Sequence, residues 1–223
     1  MKLNFSGKKR PPSLGEEVLL FDFRKACRSS RCPACELLRL EERRRLEFLF
    51  YENVNDPVLR QKFRQAGGLC PAHVEVFLQQ GDALGLAILA EDLLGDWIET
   101  AAATESAESG CPLCKDSFSA EKRIIKGLAR YENVDEFWAA FRRSAGFCRN
   151  HLNRLTAEIS EEEFQRRIWE TQLKILRKHR LTLQTFIRKH DYRFREEGIT
   201  SGEAAAVGIA WRLLQTRLNR GDD

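Results

Sequence analysis

Four short cysteine and histidine pairs, arranged as two copies of one pattern, constrain this chain more than any other feature. Cys32-Pro33-Ala34-Cys35 is followed by Cys70-Pro71-Ala72-His73, and the pattern returns as Cys111-Pro112-Leu113-Cys114 and Cys148-Arg149-Asn150-His151. From Cys35 to Cys70 is 35 positions, and from Cys114 to Cys148 is 34. Between the pairs, Tyr51-Glu52-Asn53-Val54 recurs as Tyr131-Glu132-Asn133-Val134, and the run Phe63 to Cys70 is echoed by Phe141 to Cys148. The repeat therefore extends beyond the ligand-type residues to the whole module around them.

Each copy supplies three thiols and one imidazole. Zinc takes four tetrahedral sulfur and nitrogen ligands, and structural sites commonly join two short-spaced pairs from distant segments. The C-x2-H pair suits the first turn of a helix, where positions i and i+3 share a face. A helix N-terminus also offers free N–H groups and a positive dipole end, which favour thiolates. The reading is two Zn2+, held by Cys32, Cys35, Cys70 and His73 and by Cys111, Cys114, Cys148 and His151. With four protein ligands each, both shells are closed and the ions structural rather than catalytic. Arg64 and Arg142, near the second pairs, are candidates to offset the negative charge of such sites.

Three alternatives stand beside this. The same ligand types can hold two iron–sulfur clusters. The C-x2-C pairs can act as metal-free redox thiols, although the usual βαβ setting is not visible. The copies can also exchange pairs, the first C-x2-C meeting the second C-x2-H. Pairing within each copy is the simpler expectation, because a module should have worked before it was duplicated.

The remaining composition fits a helical globule. The 223 residues are 43% apolar and 31% charged, with 6 Pro, and the formal charge of +4 is too mild to argue for a nucleic-acid partner. No apolar run reaches the ~18 residues of a membrane span, and Met1 to Phe5 lacks the apolar core of a secretory signal. A cytoplasmic, reducing setting is expected, in which cysteines serve as ligands rather than disulfides.

Taken in order, residues 1–29 form an N-terminal arm, basic at Lys8-Lys9-Arg10, and a helix capped by Ser13 with Glu16 three residues on. Residues 30–108 form the first metal-binding repeat and 109–190 the second. Residues 191–223 add a C-terminal helix, about Ser201 to Leu218, packing on the repeats. Asp56 and Pro57 read as a helix start, and Gly67-Gly68 as a stop. A long apolar helix runs from about Ala83 to Ala103, and residues 104–110 form a linker. No strand-like alternation appears, so the fold class is all-α, two tandem helical modules plus C-terminal helices.

Several other residues carry weaker signals. Lys189, His190, Asp191 and Arg193 suggest a polar or anion-binding pocket, set against a solvated basic face at a helix C-terminus. The two Tyr-Glu-Asn corners read as structural, the aromatic packing and the Asn taking a left-handed cap. Trp97, Trp138, Trp169 and Trp211 lie in apolar helical patterns and read as core. Cys27 reads as a buried thiol, with a role as an extra ligand or redox partner as its alternative.

The tandem C-P-x-C and C-x2-H layout, with Arg188 to Phe194 near the end, resembles a bacterial family of unknown function over residues 30 to 215. That resemblance implies metal binding and a bacterial origin, and no reaction. Two classes of function follow. One is a non-enzymatic scaffold or regulator that binds a macromolecule, a protein ahead of nucleic acid. The other is a redox carrier or sensor built on the same quartets. No triad, P-loop or dinucleotide fingerprint argues for an enzyme.

Overall fold

The computed structural model describes residues 14–81, 83–100 and 110–215. The arm, the Ser13 cap, most of the 104–110 linker and the ends expected beyond Thr100 and Gln215 lie outside them. Every described element is helical: α1 (Leu14–Ala26), α2 (Pro33–Phe48), α3 (Pro57–Gln65), α4 (Pro71–Gln80), α5 (Ala83–Thr100), α6 (Pro112–Leu128), α7 (Asp135–Arg143), α8 (Arg149–Glu158), α9 (Glu162–Lys189) and α10 (Ser201–Leu214). A π turn follows α2 at Leu49–Asn53, and a 3-10 turn precedes α10 at Tyr192–Glu197.

The helices fall into two compact units that cut across the sequence repeats. The described residues up to Glu36 and from Ile125 onward make one unit, and those of Leu37–Ile124 make the other. Chain order thus inserts the second unit into the first.

In the first unit an aromatic cluster forms the core. Phe23 of α1 stacks on Phe137 of α7 at 4.9 Å between ring centres, and Phe141 meets Phe147 at 4.9 Å. Trp138 lies edge-on to Phe164 of α9 at 5.7 Å, with its Nε1–H donating to the Glu132 carbonyl at 2.7 Å. α1 packs on α7, α9 on α7, and α10 on α9. Thr200 and Glu203 close a reciprocal capping box at the start of α10, which fixes where the chain turns back.

The second unit has its own core. Leu46, Leu49, Phe50, Phe63, Phe77 and Leu89 pack together, with Phe50 and Phe77 at 5.2 Å. Asp56 caps α3 as its sequence suggests, accepting from the Val58 N–H at 2.7 Å. α3 stops at Gly67 and Gly68, whose φ values of 65° and 103° are the left-handed region that favours glycine. The Gly68 N–H donates to the Phe63 carbonyl, so the stop is hydrogen-bonded and delivers the chain to Cys70. Across the unit, Arg64 of α3 clamps both oxygens of Asp92 on α5 at 2.7 Å.

Three expectations need correction. Only Trp138 of the four tryptophans is core: Trp97 and Trp211 are 70% and 73% exposed, and Trp169 is also exposed. An apolar helical stripe marks a face that prefers burial, and tertiary packing decides whether that face is covered. The Tyr-Glu-Asn corners are not equivalent either, Tyr131 being 3% exposed and Tyr51 90%. Tyr131 packs because α1 supplies the Glu16 carbonyl, to which its hydroxyl donates at 2.5 Å, whereas Tyr51 sits on the open side of the π turn. No described Asn has a positive φ, so neither corner uses a left-handed Asn cap.

Candidate metal centres

All four Cys/His pairs begin helices. Cys70 and Cys148 occupy the capping positions of α4 and α8, with ψ of 156° and 161°, and His73 and His151 follow in the first turn. Cys32 and Cys111 hold the same place before α2 and α6: the Glu36 and Cys114 N–H groups donate to their carbonyls. Proline at the first helical position of α2, α4 and α6 removes an N–H that had no partner there and presets the helical φ. Each pair therefore aims two side chains off one helix N-terminus.

The structure brings these pairs together as two tetrads, Cys32, Cys35, Cys148 and His151, and Cys70, His73, Cys111 and Cys114. Within each tetrad the four potential ligand atoms lie within 4.8 Å of one another. His151 Nδ1 stands 3.5, 3.2 and 3.2 Å from the sulfurs of Cys32, Cys35 and Cys148. His73 Nδ1 stands 3.1, 3.4 and 3.3 Å from those of Cys70, Cys111 and Cys114. The Cys35 and Cys148 sulfurs are 3.9 Å apart, and those of Cys70 and Cys114 3.7 Å.

This corrects the expected pairing. All eight residues are brought together as foreseen, but every tetrad takes its C-x2-C from one copy and its C-x2-H from the other. Helix length accounts for it. α2 carries the chain ~24 Å away from Cys32 at 1.5 Å per residue, and α3 spans only ~14 Å before Cys70. α6 and the equally short α7 repeat the arrangement. Each tetrad lies wholly inside one compact unit.

Both tetrads are electrostatically prepared for a cation. Hydrogen bonds from the Cys32 and Cys35 thiols outweigh burial and hold the Cys148 pKa far below that of a free thiol, with His151 helping; burial pushes Cys32 well above it. In the other tetrad burial opposes the Cys70 thiolate, but the His73 backbone and ring, with Cys114 and Cys111, bring its pKa down to about 6. Cys114 is pushed up to about 11 by burial and by the adjacent sulfurs. In each tetrad the cysteine that caps the C-x2-H helix is one whose pKa is lowered, and the helix dipole favours its thiolate too.

The residues around the tetrads were not legible in the sequence. His73 directs Nε2 at Glu42 Oε1, 3.1 Å away on α2, leaving Nδ1 for the thiols. Glu42 also raises the His73 pKa to about 9, against burial. A carboxylate behind a histidine is the usual outer support of a metal-ligating imidazole. Behind Cys148, the buried Gln172 amide of α9 accepts from the Phe147 N–H and donates to the Phe147 carbonyl, both at 2.9 Å. Gly146 makes that approach possible: its φ is 89°, and a Cβ there would lie 3.0 Å from the Gln172 amide nitrogen. His179 braces the same loop through the Ala145 carbonyl at 3.0 Å. Gln215 donates to Cys35 Sγ at 3.4 Å. A lone Gln among Phe164, Ile168 and Ile175 at helical spacing was the available clue to the Gln172 clamp.

The remaining candidates take other roles. Arg64 pairs with Asp92 and Asp96, and Arg142 is exposed. Lys189 bonds Glu203 and the Gly198 carbonyl, whereas Arg193 forms a fork with Asp191 that holds its carboxyl below the usual range. His190 turns back to the Phe186 carbonyl at 2.8 Å. These four side chains form separate local pairs rather than a common pocket. Cys27 is buried outside both tetrads, and burial pushes its pKa up to about 12. No described helix is long and apolar enough to cross a membrane.

Comparison with known proteins agrees with a bacterial origin. An uncharacterized 23.9 kDa protein from the xynA 3′ region of Caldicellulosiruptor sp. (strain Rt8B.4) is 26% identical over 194 residues, covering 82% of this chain and 94% of that protein. No solved structure matches the chain. A family model, described as a family of unknown function (DUF6062), matches residues 97–211, which hold one pair from each tetrad. With more than half of its length matched, the chain belongs to the DUF6062 family.

Proposed function

We propose that this protein is a helical scaffold clasped by two structural Zn2+ ions, one in each tetrad, and that it works by binding another protein rather than by catalysis. The observation that carries the reading is the size of the tetrads. One ion with Zn–S of ~2.3 Å and Zn–N of ~2.0 Å at tetrahedral angles requires ligand atoms roughly 3.5–3.8 Å apart. The histidine-to-sulfur spacings of 3.1 to 3.5 Å and the sulfur pairs at 3.7 and 3.9 Å, with all four atoms within 4.8 Å, suit one ion at the centre. An iron–sulfur cluster spreads its four protein ligands over two or more irons, so ligands on different irons must stand apart by more than the cluster core. The short spacings therefore favour a single ion.

Four protein ligands leave no position for water or substrate, which supports a structural role. The tetrads also join helices that are not the main packing partners of one another. Neither α2 with α8 nor α4 with α6 is among the principal packed pairs of the described residues. A metal there adds to the adhesion that side-chain packing, such as that of Phe77 and Leu113 in the shared core, supplies.

Metal and acid-labile sulfide content of untagged protein purified without oxygen tests this reading. Two zinc per chain without sulfide is the expected result. Iron with sulfide would replace it with the redox reading. Loading should also release protons, because His73, with its pKa near 9, is protonated at neutral pH until the metal takes Nδ1. The affinity of the Cys70 tetrad should therefore rise with pH through about 9, where His73 gives up its proton, and on towards about 11, where Cys114 does, and fall on acidification, as read by chelator competition across pH. Glu42→Ala should weaken this tetrad by ~10–100-fold and leave the Cys148 tetrad unchanged.

A further inference from the structure

α5 and α9 present exposed apolar stripes of opposite charge. On α5, Leu84, Leu94, Trp97 and Ile98 are exposed, Ile98 at 76%, and positions 84, 87, 91, 94 and 98 follow one helical face. The helix carries four acidic residues and no Lys or Arg. Arg64 engages Asp92 and Asp96, while Glu91, within the stripe, and Glu99, near its end, are exposed. On α9, Trp169, Leu173, Leu176 and Ile187 are exposed at helical spacing. Residues 173–189 of that helix contain six Lys or Arg and no acid; Arg188 and Lys189 pair with Glu197 and Glu203, leaving the cations of 174–180 to face outward partners. Arg177 and Arg180 border the apolar stripe, and both are exposed.

We infer that the α5 face of one chain docks on the α9 face of a second copy of this chain. Each face alone is an apolar surface of the kind that marks an interaction site. The complementary charge names the occupant: acid-flanked α5 meets like charge on another α5 and opposite charge on α9. Burying four large side chains from each helix supplies the attraction, and the charges set the pairing.

The test is the mass of the untagged, metal-loaded protein by light scattering and sedimentation, with two charge-reversed variants. One carries Glu91→Lys and Glu99→Lys, the other Arg177→Glu and Arg180→Glu. Wild type is expected to associate above the monomer mass at micromolar concentration, as a closed dimer or a head-to-tail chain. Each variant alone should associate about tenfold or more weakly, because like charges then face each other. Mixed, the two variants should recover association, since each altered face meets its opposite. Helicity and zinc content should be unchanged, so failure to fold is read separately. A wild type that stays monomeric at 50 micromolar (about the top of the intended range) would overturn the inference. So would full dimerisation of the Arg177/Arg180 variant, which would point to α5 pairing with α5, or a mixture that fails to recover.

Discussion

Cys148→Ser is expected to remove one of two metals and to loosen the unit built around α7, α8 and α9, leaving the other tetrad loaded. Cys148 is a thiolate that its neighbours stabilise, it is buried, and it caps α8. Apparent binding free energies of structural zinc are roughly 10–16 kcal/mol, comparable to or above the ~5–15 kcal/mol that hold a whole domain together. The tetrad also joins Cys35 to Cys148 across 113 positions, and a clip closing so long a loop restricts the unfolded chain strongly. Zinc content should fall from two to one per chain, with loss of amide-exchange protection in α8 and the start of α2. Unchanged metal content would remove Cys148 from the ligand set.

Gln172→Leu should have the next largest effect, without touching a ligand. The substitution keeps a similar bulk but strands the Phe147 N–H and carbonyl, both of which bond to the Gln172 amide. Leaving buried polar groups unsatisfied costs about 1–3 kcal/mol each, so a loss of ~2–6 kcal/mol is expected in denaturant unfolding. Because Phe147 immediately precedes Cys148, zinc should also leave this tetrad faster in chelator competition. Gly146→Ala should act in the same direction, through its positive φ and the missing room for a Cβ. A Gln172→Leu protein with wild-type stability would mean that water or a shifted loop replaces the amide.

The ligands were legible because their chemistry is local. C-x2-C and C-x2-H at proline-marked helix starts need only i and i+3 spacing, and the structure places all eight at helix N-termini. The pairing was not legible, because it depends on how far α2 and α6 carry the chain before α3 and α7 begin. The supports were hidden for a related reason. Glu42 meets His73, and Gln172 meets Phe147, across 31 and 25 positions of sequence, where no local pattern links them. The helix classes and many of their ends followed from caps and stops such as Asp56, Gly67 and the Cys148 start of α8. Exposure of Trp97 and Trp211 did not, since an apolar stripe looks the same whether a neighbouring helix or another chain covers it.

The exchange of ligand pairs between the two copies is tested most directly by counting zinc in two double variants. Cys35→Ser with Cys148→Ser strikes one tetrad twice, so one zinc per chain should remain. Cys35→Ser with Cys70→Ser strikes both tetrads, so none should remain. Pairing within each copy would give the reverse, none in the first variant and one in the second, and that result would contradict the arrangement described here.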